Sequence, residues 1–171
     1  MILTSHAIIG VAAASAFPTH PILAFSAALA SHYIVDAIPH WEYDLLSSKK
    51  DRDNPLNNDM AVGKDFFSDL IRVLFDMCLG IVISFFIFHF LGFNFNSLLI
   101  LIAGIAGAVA PDILQFVYFR FRREPFKSLY VFHYYIHSRT EKLKKHFIVG
   151  IFLQILTVFL IVLLAKYLMN M

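Results

Sequence analysis

Charge is scarce in this sequence. Of its 171 residues, 15% are Asp, Glu, Lys or Arg and 59% are hydrophobic, whereas a soluble globular domain carries about 25% charged residues. That shortage, with a mean hydropathy of +0.71, excludes an ordinary aqueous domain and a coiled coil, and the Phe, Leu and Ile content excludes disorder. Cysteine is nearly absent. Cys78 alone excludes an intrachain disulfide, and its place inside an apolar run leaves the redox compartment unmarked. The net charge of +2 is too small to draw a nucleic acid. No GxSxG, HExxH, GxxxxGK[ST] or GxGxxG string occurs, so a serine elbow, a zincin helix and the common phosphate loops are missing too. No Lys or Arg precedes the first apolar stretch, MILTSHAIIG. A signal-peptide n-region is therefore lacking, and this segment is expected to be retained.

What is there fits a small polytopic membrane protein of one domain, residues 1–171. Three runs reach the roughly 20 residues that span about 30 Å of hydrocarbon: Val73 to Leu91, Ser97 to Tyr118 and Phe147 to Leu168. Before them, Ala7 to Phe17 is rich in small residues (Gly10, Ala12, Ala13, Ala14, Ala16), which suits close helix packing. Pro18 and Pro21 break it, and Ile22 to Ala37 follows, ending near Pro39. These two segments predict a helical hairpin whose first arm crosses only in part. The expected architecture is all-α: a bundle of four to five transmembrane helices with this N-terminal hairpin and one interfacial helix. Helices are expected at about 5–17, 21–38, 66–91, 97–120, 126–138 (interfacial) and 146–169.

Lys and Arg set the orientation. Trp41 to Asp65 holds Lys49, Lys50, Arg52 and Lys64. Phe119 to His146 holds Arg120, Arg122, Arg123, Lys127, Arg139, Lys142, Lys144 and Lys145. The opposite turns, Pro18 to Pro21 and Gly92 to Asn96, carry no charge. Both basic loops lie on one side if two spans form the hairpin between them. That side is expected to be the cytoplasmic face of the inner, or cytoplasmic, membrane.

Histidine and aspartate gather at the same end. His6 opens the first arm, with Thr4 or Ser5 available as an N-cap, and His32, Asp36 and His40 close the second. Asp65, Asp69, Arg72 and Asp76 enter the next span on one helical stripe. Asp112 follows Pro111 about 22 Å of rise beyond Ser97, and His133 and His137 form an HxxxH pair in the second basic segment. His32 and Asp36, spaced i, i+4, share a helix face and can pair with each other or grip one ion. With His40 they make good ligand chemistry for Zn, Mn or Fe. Arg72 can neutralise Asp69 or Asp76, a structural pairing as well founded as ligation. Asp112 serves as a ligand or a helix cap, and the HxxxH segment also reads as an aromatic, headgroup-level helix that can cover the site. His20, His89 and His146 read as structural or interfacial. With no Ser or Cys nucleophile in sight, water activated by a metal is the hydrolytic route that fits this inventory.

The stretch SHYIVDAIPH, Ser31 to His40, resembles the HxxxD core of the zinc-dependent phospholipase C and P1-type nuclease superfamily. The overall layout is similar to the LexA-regulated, inner-membrane, metal-dependent hydrolases. Their N-terminal T-H-x-x-x-G-like motif corresponds to Thr4 to Gly10 with His6, their intramembrane P-D motif to Pro111-Asp112, and their late H…HS motif to His133 with His137-Ser138. The P-D-x-D of that family is PDIL here, with one acid, and the Arg-Gly after its first late His is missing. The resemblance implies a multipass hydrolase acting on a phosphoester or lipid-derived substrate among membrane lipids. Its divalent ion or ions, Zn first and Mn or Fe next, are expected on His6, His32, Asp36, His40, Asp112, His133 and His137. Asp36 is then central to catalysis, with Asp69 or Asp65 as extra ligand or general base.

Other classes use the same residues differently. A small ion, proton or metal transporter would string Asp69, Arg72, Asp76 and Asp112 along a path. A membrane adaptor would use Arg120, Arg122, Arg123 and Lys127 on anionic lipid and no chemistry at all. A di-iron lipid oxidase would need more His boxes than the single HxxxH present. Bound metal separates the enzymes from the adaptor, and flux in liposomes separates the transporter.

Overall fold

The computed structural model describes residues 1–51, 53–94, 97–137, 143 and 146–171. Ser138 of the late motif, and Arg52, Arg139, Lys142, Lys144 and Lys145 of the basic loops, lie outside the described residues. Among the described residues six α-helices make up the bundle: α1 (Leu3–Ala14), α2 (Pro21–Asp36), α3 (Lys64–Phe90), α4 (Leu98–Phe121), α5 (Phe126–His137) and α6 (Phe147–Met169). Between α2 and α3 the chain forms a short antiparallel pair, β1 (Ser48–Lys49) with β2 (Asp59–Met60), around a 3-10 turn at Pro55–Asn57.

Three of these helices, α3, α4 and α6, are long and apolar enough to cross a membrane. That is fewer than the four to five expected, and length is the reason. At 1.5 Å per residue α1 rises about 18 Å and α2 about 24 Å, short of a 30 Å core. The first arm is instead the centre of the bundle. Eleven of the twelve residues of α1 are buried, against α2, α3, α4 and α6. It also stops earlier than expected. Ser15 Oγ bonds the Ala12 carbonyl at 2.6 Å, and the Ala16 and Phe17 amides reach back three residues rather than four. The last turn thus tightens ahead of Pro18.

Small residues set how closely the helices approach. A methyl group at Gly10 would strike Ala108, and one at Gly107 would strike the Phe25 carbonyl, so α1 and α2 both lie directly on α4. Pro21 occupies the first turn of α2, where its missing N–H costs nothing. The helices alternate in direction, so the start of α1, the end of α2, the start of α3, the late part of α4 and all of α5 meet at one end.

Candidate metal centre

Asp36, buried in the last turn of α2, is the hub of that end. Its Oδ1 lies 3.1 Å from His6 Nε2 and 3.8 Å from His40 Nε2. Its Oδ2 lies 3.1 Å from both His32 Nε2 and His133 Nε2, and 3.9 Å from His137 Nε2. Asp112 Oδ1 is 3.9 Å from His133 Nε2. The Met1 amino group donates to Asp36 Oδ1 at 2.9 Å and to His40 Nε2 at 2.7 Å.

All seven residues expected as ligands come together in three overlapping groups. These are His6, His32 and Asp36; His32, Asp112 and His133; and Asp36, His40 and His137. Within each group the candidate ligand atoms lie inside 4.8 Å of one another. Four helices and the segment after α2 supply them, so the fold has to be complete before the site exists.

Hydrogen bonds fix which nitrogen each ring presents. His32 Nδ1 lies 2.6 Å from the Ala108 carbonyl, and His40 Nδ1 lies 2.7 Å from the Ile38 carbonyl. A carbonyl only accepts, so both Nδ1 atoms carry a proton, and in the neutral rings both Nε2 atoms hold the lone pair. His32 Nε2 then faces Asp36 Oδ2 at 3.1 Å and His133 Nε2 at 3.2 Å. Potential acceptors this close and this buried repel unless a proton, such as one carried by His133 Nε2, or a metal ion sits among them. His6 adds to the case. Its ring stacks on that of His32 with centroids 4.0 Å apart, yet neither of its buried nitrogens makes a hydrogen bond among the described residues. Its 3.1 Å approach to Asp36 is contact without hydrogen-bond alignment. His133 Nδ1 is likewise buried and unpaired.

The outer edge is more open. Side-chain exposure is 37% for Asp112 and 23% for His137, against 0–1% for His6, His32 and Asp36. Burial, reinforced by the Met1 ammonium, pushes His40 down to about 4. Burial alone would lower His137 as well, but the hydrogen bond and charge of Glu42, 3.1 Å away, raise it.

Asp65 and Asp69 are placed elsewhere. Asp65 stands exposed in the first turn of α3. Asp69 Oδ2 accepts from Ser47 N at 2.8 Å and from Ser47 Oγ at 2.7 Å, anchoring the loop before β1, and Arg72 lies 4.0 Å from its other oxygen. The N-cap expected from Thr4 or Ser5 also differs. The carboxylate of Asp76 on α3 accepts from Leu3 N at 2.8 Å and Thr4 N at 3.1 Å, and from Thr4 Oγ at 2.6 Å. An acid from a neighbouring helix thereby satisfies the first amides of α1. The same carboxylate accepts from Tyr43 at 3.1 Å, and burial together with Asp76 raises the Tyr43 hydroxyl pKa. Sequence reading missed Glu42, Tyr43 and Gln154. Gln154, buried on α6, takes Ser5 Oγ at 3.4 Å and donates to the Trp41 carbonyl. Comparisons with protein-family models, curated proteins and solved structures find no match for this chain.

Proposed function

We propose that this protein is a membrane-embedded, metal-dependent hydrolase acting on a phosphoester or lipid-derived substrate at the membrane interface. The observation that carries the reading is the buried cluster of potential ligand atoms His32 Nε2, His133 Nε2 and Asp36 Oδ2, mutually within 3.2 Å. Five imidazoles and two carboxylates suit Zn, Mn or Fe better than the oxygen-only shells of Mg or Ca. Held there, a divalent ion would acidify water and polarise a phosphoryl or carbonyl oxygen. The protein's part is positional. The carbonyls of Ala108 and Ile38 orient two of the rings, Asp36 joins the groups, and the opening at Asp112, His137 and Glu42 admits the substrate.

The arrangement favours hydrolysis over transport because the groups cluster at one end. Asp69 and Asp76, which a conduction path would need deeper in α3, are engaged by a loop and a helix cap. The motif-level likeness to the inner-membrane hydrolases points the same way.

Elemental analysis of detergent-purified wild type beside Asp36→Asn and His32→Ala tests this. One or more equivalents of Zn, Mn or Fe, absent from both variants, is expected, with metal-dependent cleavage of bis(p-nitrophenyl) phosphate or a phospholipid. Folded wild-type protein prepared without chelator and free of metal would overturn it.

A further inference from the structure

The three ligand groups differ in how they meet solvent. His6, His32 and Asp36 are sealed, while the group of Asp36, His40 and His137 reaches the surface through His137. Beside that outer group stands Glu42, two residues beyond His40 in the segment leaving α2. Its Oε2 lies 3.1 Å from His137 Nε2, the nitrogen that also faces Asp36, and its side chain is 28% exposed.

Charge makes this acid more than a neighbour. The inner and outer groups share a single carboxylate, Asp36. Dications in both would leave a large uncompensated positive charge in a buried place, which is costly. A second carboxylate at the outer group removes much of that cost. Beside His137 it also offers a fourth donor to Asp36, His40 and His137, to an ion that would take the place of the Met1 ammonium now bonded to Asp36 Oδ1 and His40 Nε2. Four donors, two imidazoles and two oxygens, is the usual number for Zn.

Resting on the metal reading above, we propose that Glu42 is the fourth protein donor of a second, solvent-side ion site formed with Asp36, His40 and His137. This ion exchanges more readily than the enclosed one, because two of its four donors lie at the protein surface.

Trp41, the single tryptophan, sits between His40 and Glu42 in the chain and serves as the fluorescent reporter. Metal-free protein in detergent is titrated with Co2+, reading Trp41 fluorescence, visible absorption and bound metal after gel filtration. Wild type is expected to take up two equivalents, the second weaker. Glu42→Ala and Glu42→Gln should move the second event at least about tenfold to higher Co2+ and leave the first in place, while Glu42→Asp restores most of it. Gln keeps an acceptor oxygen for His137 and the shape of Glu. If Glu42→Gln titrates like wild type, Glu42 only orients the ring and the proposal fails. A wild-type protein that binds one equivalent, unchanged in Glu42→Ala, overturns the outer site and leaves the metal centre standing. Wild type that binds none removes both.

Discussion

Asp76 shows what one carboxylate does when it serves elements far apart in the chain. Its side chain takes hydrogen bonds from Leu3 and Thr4 amides, the Thr4 hydroxyl and Tyr43, and it does so buried. Asp76→Asn replaces one acceptor oxygen by an NH2 group aimed at donors. It should cost about 1–3 kcal/mol, read as a lower Tm in detergent. His6 lies two residues past Thr4, so metal affinity should fall with it. A variant with wild-type Tm and metal content would show that the α1 amides find other partners. The sequence made part of this legible. The 4, 3, 4 spacing from Asp65 to Asp76 puts these acids on one stripe, and Asp69 and Asp76 do point inward. Their partners were not legible, because a backbone amide or Ser47 reached across tens of residues leaves no pattern in the chain. Glu42 was missed for a related reason. It lies in an irregular segment, where no period says which way a side chain faces.

At the scale of elements, the site depends on how closely α1, α2 and α4 approach. Gly107 faces the Phe25 carbonyl, a backbone atom that cannot swing aside, and Ala108, next in the chain, accepts from His32. Gly107→Ala should therefore cost about 1–3 kcal/mol through overpacking and also weaken metal binding by shifting the carbonyl that holds His32. Gly63→Ala is the control, since nothing lies within 4 Å of a methyl there; as the N-cap of α3 it should lower Tm less than Gly107→Ala and leave metal content unchanged. Equal effects of the two would contradict the packing argument. α5 is held by a different device. Tyr130, one turn before His133, stacks on Tyr118 at 4.6 Å, accepts from Asn58 at 2.8 Å and donates to the Pro55 carbonyl at 2.9 Å. Tyr130→Phe keeps the ring and loses both bonds, so Tm should drop by the equivalent of about 1–3 kcal/mol, and metal bound through His133 should become easier to strip with chelator. An unchanged Tm and chelator half-time would mean that stacking alone fixes α5. The helices themselves were readable to within a few residues, because apolar runs and prolines mark them. The β1–β2 pair was not, since a two-residue ladder carries no periodicity.

Across the whole molecule, the composition that excluded an aqueous domain reappears as an apolar outer surface. α3 and α6 expose Leu74, Phe75, Val82, Phe86, Phe152, Ile155 and Phe159, and α1, the most enclosed helix, is too short to span. The overall hydrophobicity was therefore legible, while its division between lipid-facing and interior helices was not, because α1 and α6 are both apolar and only length tells them apart. Cys78 makes the lipid-facing surface testable. It lies inside an apolar run as expected, but its side chain is on the outer face of α3, about 21 Å along the helix from Lys64. In intact bilayers a membrane-impermeant maleimide should leave Cys78 unlabelled until SDS is added; rapid labelling without detergent would put this face of α3 in water. With Cys78→Ser as background, single cysteines then fix the topology. Lys50→Cys and Lys127→Cys should label from the same face and Asn94→Cys from the other, because α3 and α4 form one hairpin between the basic loops. The shared face should be cytoplasmic in cells, following the Lys and Arg bias. Labelling of Lys50→Cys and Lys127→Cys from opposite faces would separate the loop carrying Glu42 from the helix carrying His137, and the metal centre between them could not form.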